Sequence, residues 1–222
     1  MSWQAVCCVI SIVRKATADS PDSLGRGHKT AKPEGLMSFF RQAGKTAISN
    51  YLGEQIDIES LGEYRPTKGV RIVEFESHEL DIREQRIEID VELWDCSGDT
   101  SKCKISIHRY RDCWPAIREG IEGVILVANP DENKGEDLKI WYQEFIAATN
   151  LDPGNVLIVL NEIGEKRTND GAISEFRLPP QLSPAVCAAC NLRNEGEQLR
   201  LEFNQFLVTI IAKSEDQQRN DE

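Results

Sequence analysis

Two stretches of this chain are apolar almost without a break, Gly123 to Asn129 (GVILVAN) and Asn155 to Leu160 (NVLIVL). A strand with one wet face alternates apolar and polar residues. A near-continuous run therefore marks a strand covered on both faces, as in a parallel sheet with helices above and below. Between the runs, Leu138, Trp141 and Phe145 fall at helical spacing, and Leu199, Phe203, Phe206 and Ile210 repeat the stripe near the end. Strands alternating with helices make an α/β domain with a mostly parallel sheet.

Upstream, Gly69 to Glu76 (GVRIVEFE) and Arg86 to Asp95 (RIEIDVELWD) do alternate, the second placing Ile87, Ile89, Val91 and Leu93 on one face. They read as two half-exposed strands of a hairpin. Lys45 to Leu52 followed by Gly53 reads as a short helix with a glycine stop. The expected organisation is an irregular N-terminal segment over residues 1–38, the α/β domain over 39–212, and a disordered polar tail over 213–222. The other reading of the start makes Ala5 to Val13 the first strand, with residues 14–38 looping out; so long a loop counts against it.

Over 222 residues, 26 Lys and Arg stand against 37 Asp and Glu, a formal charge of −11. That balance disfavours a protein that tracks nucleic-acid phosphates or adsorbs to anionic lipid. Ala5 to Val13 is too short for a bilayer, and Arg14 and Lys15 follow it, the reverse of a secretory leader. The chain ends QQRNDE without a cysteine box, so no prenyl anchor is expected. The seven cysteines are odd in number and scattered, and they read as reduced core thiols; Cys187 and Cys190 have C-x-x-C spacing, but no second pair completes a zinc site. His28, His78 and His108 are isolated, and no nucleophile triad can be assembled. Glu195, Glu197 and Glu202 read as the solvated face of the last helix.

The local signal for chemistry is Gly44-Lys45-Thr46 at the start of a helix. A phosphate cradle needs a glycine for close backbone approach, a lysine for the β/γ oxygens and a hydroxyl for Mg²⁺. The full pattern wants a second glycine where this chain has Phe39, which costs roughly 1–2 kcal/mol if that residue must be left-handed. Farther on, Thr67 precedes a strand and Asp95-Cys96-Ser97-Gly98 ends the next. An aspartate at a strand end suits a magnesium-bound water, and Gly98 can offer an unobstructed N–H to a γ-phosphate.

From Gly44 to about Ile211 the sequence resembles the Rab-like small GTPases of the intraflagellar transport B particle, the Rab-like protein five family. The resemblance rests on AGKTAISNYL, YRPTKGVRIVEFE, VELWDCSGD, DCWPAI, GVILVAN, the helix with Trp141-Tyr142, and NLRNEGEQLRLEFNQFL; residues 1–38 carry no part of it. It implies a Ras-like P-loop GTPase fold with a six-stranded sheet and helices on both faces. It implies GTP or GDP with Mg²⁺ as ligands, and docking on other subunits of the particle in the cytoplasm and the cilium or flagellum and its base, with no nucleic acid and no lipid anchor. By position Lys45, beside Gly44, would contact the phosphates. Thr46 and Thr67 would ligate Mg²⁺, Asp95 would hold it through water, and Gly98 would meet the γ-phosphate. Asn161 would open the guanine box.

Departures from the family pattern point to slow or absent hydrolysis, and no catalytic residue is assigned. Asp99 stands where active enzymes carry a water-orienting glutamine, and Asn161-Glu162-Ile163-Gly164 lacks the aspartate that reads guanine. Losing that carboxylate forfeits bonds worth roughly 1.5–3 kcal/mol each, so base selectivity should be weak. Residues 103–109 interrupt the second switch. Their abrupt edges, like those of residues 1–38, are what translated intron sequence would leave. Two alternatives compete with a nucleotide-dependent subunit: a nucleotide-free scaffold of the same fold, and a P-loop kinase or ATPase. The second lacks an arginine-rich lid.

Overall fold

The computed structural model describes residues 6–13, 43–55, 67, 70–77, 79–96, 114–131, 135–162, 173 and 175–221. Its centre is a six-stranded sheet in the order β2 (Val70–Glu76), β5 (Asp90–Cys96), β1 (Val6–Val13), β6 (Gly123–Ala128), β7 (Val156–Asn161) and β8 (Val186–Cys190). β6, β7 and β8 are parallel, and both predicted apolar runs lie in that half. β2 pairs antiparallel with β5 and sets Arg71 directly opposite Asp95. A small hairpin of β3 (Leu80–Ile82) and β4 (Gln85–Ile87) interrupts the connection. It turns through Arg83 and Glu84, both at positive φ (49° and 66°), the backbone that two-residue hairpins need. The predicted strand from Arg86 is therefore broken: Ser77 and Ile89 close the gap, the Ser77 N–H donating to the Ile89 carbonyl at 2.8 Å and the Ile89 N–H to Ser77 Oγ at 3.0 Å.

Within residues 1–38, where an irregular segment was expected, residues 6–13 form a central strand. VCCVISIV is mostly apolar and β-branched, a composition that suits a central strand between β5 and β6. The strand is antiparallel to both neighbours, Cys8 facing Asp95 and Val13 facing Asp90. Its C-terminal end thus lies roughly 17 Å from the edge that carries Asp95, at about 3.4 Å per residue.

The sheet is covered on both faces, and alternate residues of β6 show it. Ile125 and Val127 join Ile48, Tyr51 and Leu52 of α1 (Lys45–Leu52) and Leu199, Phe203, Phe206 and Ile210 of α4 (Leu192–Asp221). Val124, Leu126 and Ala128 join Ile117 of α2 (Trp114–Arg118) and Leu138, Trp141 and Phe145 of α3 (Leu138–Trp141) and the π turn Tyr142–Ile146 that continues it. All five β6 residues are fully buried. At about 25 cal/mol per Å², each of the four Val, Ile and Leu side chains among them contributes roughly 1.5–3 kcal/mol.

α4 begins on a reciprocal cap: Asn191 Oδ1 accepts from the Arg193 N–H at 3.1 Å, and Glu195 Oε2 accepts from the Asn191 N–H at 3.0 Å. The helix kinks at Glu195, where φ is −128° and ψ 26°, and then runs on to Asp221, over most of residues 213–222, where a disordered tail was expected. Ion pairs that polar composition does not reveal line this part of it: Lys213 with Asp152 at 2.8 Å, and Arg83 with Glu215 and Asp216. None of the described helices is long and apolar enough to cross a membrane.

Candidate functional site

The predicted residues that lie among the described ones gather at one edge of the sheet, at the C-terminal end of β5. Gly44 is the N-cap of α1, with φ 82° and ψ 15°. That left-handed backbone favours glycine, and a Cβ there would run into the side-chain amide of Asn161. Lys45 and Thr46 form the first turn of α1. Thr67 approaches from the segment before β2, and Asp95 from β5. Gly98, Phe39, Asp99, Gly164 and the insertion at 103–109 lie outside the described residues.

Three oxygens from separate segments meet here. Thr46 Oγ1 lies 2.7 Å from Thr67 Oγ1 and 2.8 Å from Asp95 Oδ2, and Thr67 Oγ1 lies 3.2 Å from the same Oδ2. Two hydroxyls supply two protons for three contacts, and the carboxylate supplies none. However the protons are placed, one close oxygen pair has no hydrogen between its members. Asp95 is fully buried, and its Oδ1 has no hydrogen-bond partner among the described residues. A buried charge in that condition is costly.

A small hard cation resolves both difficulties. The two hydroxyl oxygens, 2.7 Å apart, are close enough for both to bind one such ion. The two hydroxyls can bind the ion through lone pairs while donating their protons to Asp95 Oδ2, and Asp95 Oδ1 is left to accept from a metal-bound water. The donor set therefore fits the ion.

Asn161, at the end of β7, does something its place in the base box does not suggest. Its Nδ2 donates to the Ala43 carbonyl at 3.0 Å, anchoring the backbone just before Gly44. Asn161 is buried, and its Oδ1 has no partner among the described residues. Glu162 follows, also buried, its N–H donating to the Cys190 carbonyl at 2.9 Å.

One further residue of this site, Arg71, escaped sequence reading. Arg71 Nη2 lies 3.6 Å from Asp95 Oδ2 and donates to Asn50 Oδ1 on α1. The alternation of β2 assigns Arg71 a face. Only the β2–β5 register shows that it stands across from Asp95. The far end of α1 is held as well. Tyr51 donates its hydroxyl to Glu197 Oε1 at 2.9 Å, and the Arg200 guanidinium lies 4.6 Å from the centre of the Tyr51 ring. Burial, with the Glu197 carboxylate adding to it, raises the Tyr51 hydroxyl above its ordinary pKa.

The described thiols divide as a strand alternates. Cys96 and Cys190 are buried, and Cys187, on the opposite face of β8 from Cys190, is exposed rather than in the core. Among the described residues no group of His, Cys, Asp and Glu could hold a metal. The hydroxyl-based cluster is of another kind.

No protein-family model matches the chain. Among curated proteins, it is 36% identical to the intraflagellar transport associated protein 2 of Caenorhabditis elegans, over 79% of this chain and 78% of that protein. It is 35% identical to the intraflagellar transport protein 22 homolog of Danio rerio, over 82% of this chain and 91% of the relative. The human homolog of that name is 31% identical over 81% and 91%. Among solved structures, the GTP-bound crystal structure of T. brucei IFT22/74/81 aligns with a TM-score of 0.52 at 24% identity, covering 77% of this chain and 89% of that one. The GDP-bound crystal structure of T. brucei IFT22 aligns at 0.50 and 24%, covering 77% and 90%. The solved structures establish the fold, the Ras-like one.

Proposed function

The chain belongs to the intraflagellar transport protein 22 family, and from that premise we propose that it is a Rab-like guanine-nucleotide-binding subunit of the intraflagellar transport B particle, acting in the cilium or flagellum. The observation that carries the nucleotide part is the meeting of Thr46, Thr67 and Asp95 with one proton too few. When bound, Mg²⁺ would neutralise phosphate charge. The chain's own part is to supply two hydroxyl ligands and a buried carboxylate that orders the ion's water. Lys45 at the start of α1 takes the phosphates, and the positive end of that helix favours them. By its place in the family pattern Gly98 would meet the γ-phosphate, and Asn161 holds the backbone before Gly44 through Ala43.

T. brucei IFT22 is seen bound to GDP, and bound to GTP in an assembly with IFT74 and IFT81. The corresponding subunits are the partners we assign to this chain. Hydrolysis is not its main work. Asp99, short and anionic beside a polyanion, is poorly suited to position the attacking water, so turnover should sit at or below the roughly 10⁻⁴ s⁻¹ of unassisted Ras-type enzymes. If Asp99→Gln and the parent both turned over rapidly in a single-turnover assay, that view would be wrong.

Titration with labelled GDP, GTP and ATP in Mg²⁺ tests the reading. Guanine nucleotide binding that Lys45→Ala abolishes supports it. No binding of any nucleotide, together with capture of transport-particle subunits from ciliated cells, would leave a scaffold of the same fold.

A further inference from the structure

We propose that Arg71 is the resident counter-ion of Asp95: it pairs with the carboxylate while no divalent cation is bound, and by its charge it lowers the protein's affinity for that cation. The proposal rests on the Thr46, Thr67 and Asp95 site assigned above, and concerns a residue outside it.

Asp95 is fully buried, and a buried carboxylate without a cation is among the most destabilising groups a fold can hold. Arg71 supplies the missing charge from the facing strand, its Nη2 3.6 Å from Asp95 Oδ2. That separation is an ion pair rather than a hydrogen bond, and the same Nη2 donates to Asn50 Oδ1 on α1. Arg71 is thus held by α1 and only leans on Asp95. Its side chain is 39% exposed where that of Asp95 is 0% exposed, so the guanidinium has a path to water. Its Nε is buried and has no hydrogen-bond partner among the described residues, so this position leaves one donor of the guanidinium unused there.

A divalent ion bound between the threonine hydroxyls would stand within a few ångströms of a guanidinium that cannot lose its charge. Like charges repel at that range even at an effective dielectric constant near 20, so Arg71 must either move outward or weaken the ion's hold. Both give the same thermodynamic result: the metal-free state is favoured by what Arg71 contributes, and metal binding must overcome it.

The test uses Mn²⁺ as the probe, read by electron paramagnetic resonance with GDP present throughout. Arg71→Gln should bind Mn²⁺ about tenfold more tightly than the parent, and its metal-free form should melt at a lower temperature. Arg71→Lys keeps the charge and should stay within about twofold of the parent. A second readout needs no variant: Arg71 in the parent should react faster with phenylglyoxal, mapped by mass spectrometry, once Mn²⁺ is added. Equal Mn²⁺ affinity in Arg71→Gln, or Arg71 reactivity that does not change with Mn²⁺, overturns the proposal. If Asp95→Asn still abolishes Mn²⁺ binding, the site assignment survives that failure. If parent and Asp95→Asn bind Mn²⁺ alike, the assignment and the proposal fall together.

Discussion

Asn161 and Ala43 are 118 residues apart in sequence and joined by one hydrogen bond of 3.0 Å between a side-chain amide and a backbone carbonyl. β7 thereby fixes the backbone that leads into the first turn of α1. Asn161→Ala removes the donor and leaves the Ala43 carbonyl, on a buried residue, without it. The expected loss is about 1–3 kcal/mol of stability, the usual cost of a stranded buried acceptor, read by urea denaturation. GDP affinity should drop by at least about tenfold. Lost stability with unchanged GDP binding would make Asn161 a fold residue only.

Gly44 and Asn161 are coupled sterically. Gly44→Ala adds a Cβ at φ 82°, a backbone alanine rarely adopts, and drives it into the Asn161 amide. Stability should decline by more than the roughly 1 kcal/mol of the backbone effect alone. The double variant with Asn161→Ala should lose less than the sum of the two single changes, because the collision is relieved. Strict additivity in thermal melts of the four proteins would show that the two groups do not press on each other.

How much of this was legible beforehand depends on what a one-dimensional pattern can encode. The runs GVILVAN and NVLIVL announced β6 and β7, because burial on both faces leaves no alternation to misread. Leu138, Trp141 and Phe145 lie together in the core as their spacing required, although a π turn carries the last of them. Thr46, Thr67 and Asp95 were found as a chemical kit, and the structure brings their oxygens together. The direction of β1 was not readable, since VCCVISIV buries equally well whichever way it points. Arg71 was missed for a related reason: a strand's alternation names the face and leaves the neighbour to register. A disordered tail was expected over 213–222 because the stretch is polar, and Arg83, the partner of Glu215 and Asp216, is distant in sequence.

Thr46→Val keeps the shape of the side chain and removes the hydroxyl that donates to Asp95 Oδ2 at 2.8 Å. The buried carboxylate then keeps one hydroxyl donor, Thr67, at 3.2 Å. A loss of about 1–3 kcal/mol in the metal-free protein is expected. The sharper test is metal dependence. GDP dissociation from the parent should quicken when EDTA replaces Mg²⁺, whereas in Thr46→Val the two rates should converge. A variant that still responds to EDTA as the parent does would remove Thr46 from the metal site.

Cys190 gives the protein a pH dependence whose sign follows from burial. The thiol at the end of β8 is pushed from 9.0 up to about 12 by desolvation, with the charges of Glu195 and Glu162 adding to it. In the unfolded chain the proton leaves near pH 9.0; in the folded protein it stays to about pH 12. A raised folded value means the stabilisation is complete below pH 9.0 and is lost as pH rises from there through about 12. The loss approaches about 1.4 kcal/mol per pH unit for one fully shifted group. Cys190→Ala has no such group, so urea melts of parent and variant should differ by a constant below pH 8.5. The parent should then lose about 1–2 kcal/mol relative to the variant by pH 10.5. In the native protein at neutral pH, iodoacetamide should label the exposed Cys187 slowly, since desolvation raises its thiol too, and Cys190 more slowly still, because the thiolate is the nucleophile and the buried site withholds it. A stability difference that stayed flat to pH 10.5, or rapid labelling of Cys190, would mean that the end of β8 opens to water and that the Asn191 cap of α4 beside it is not held closed.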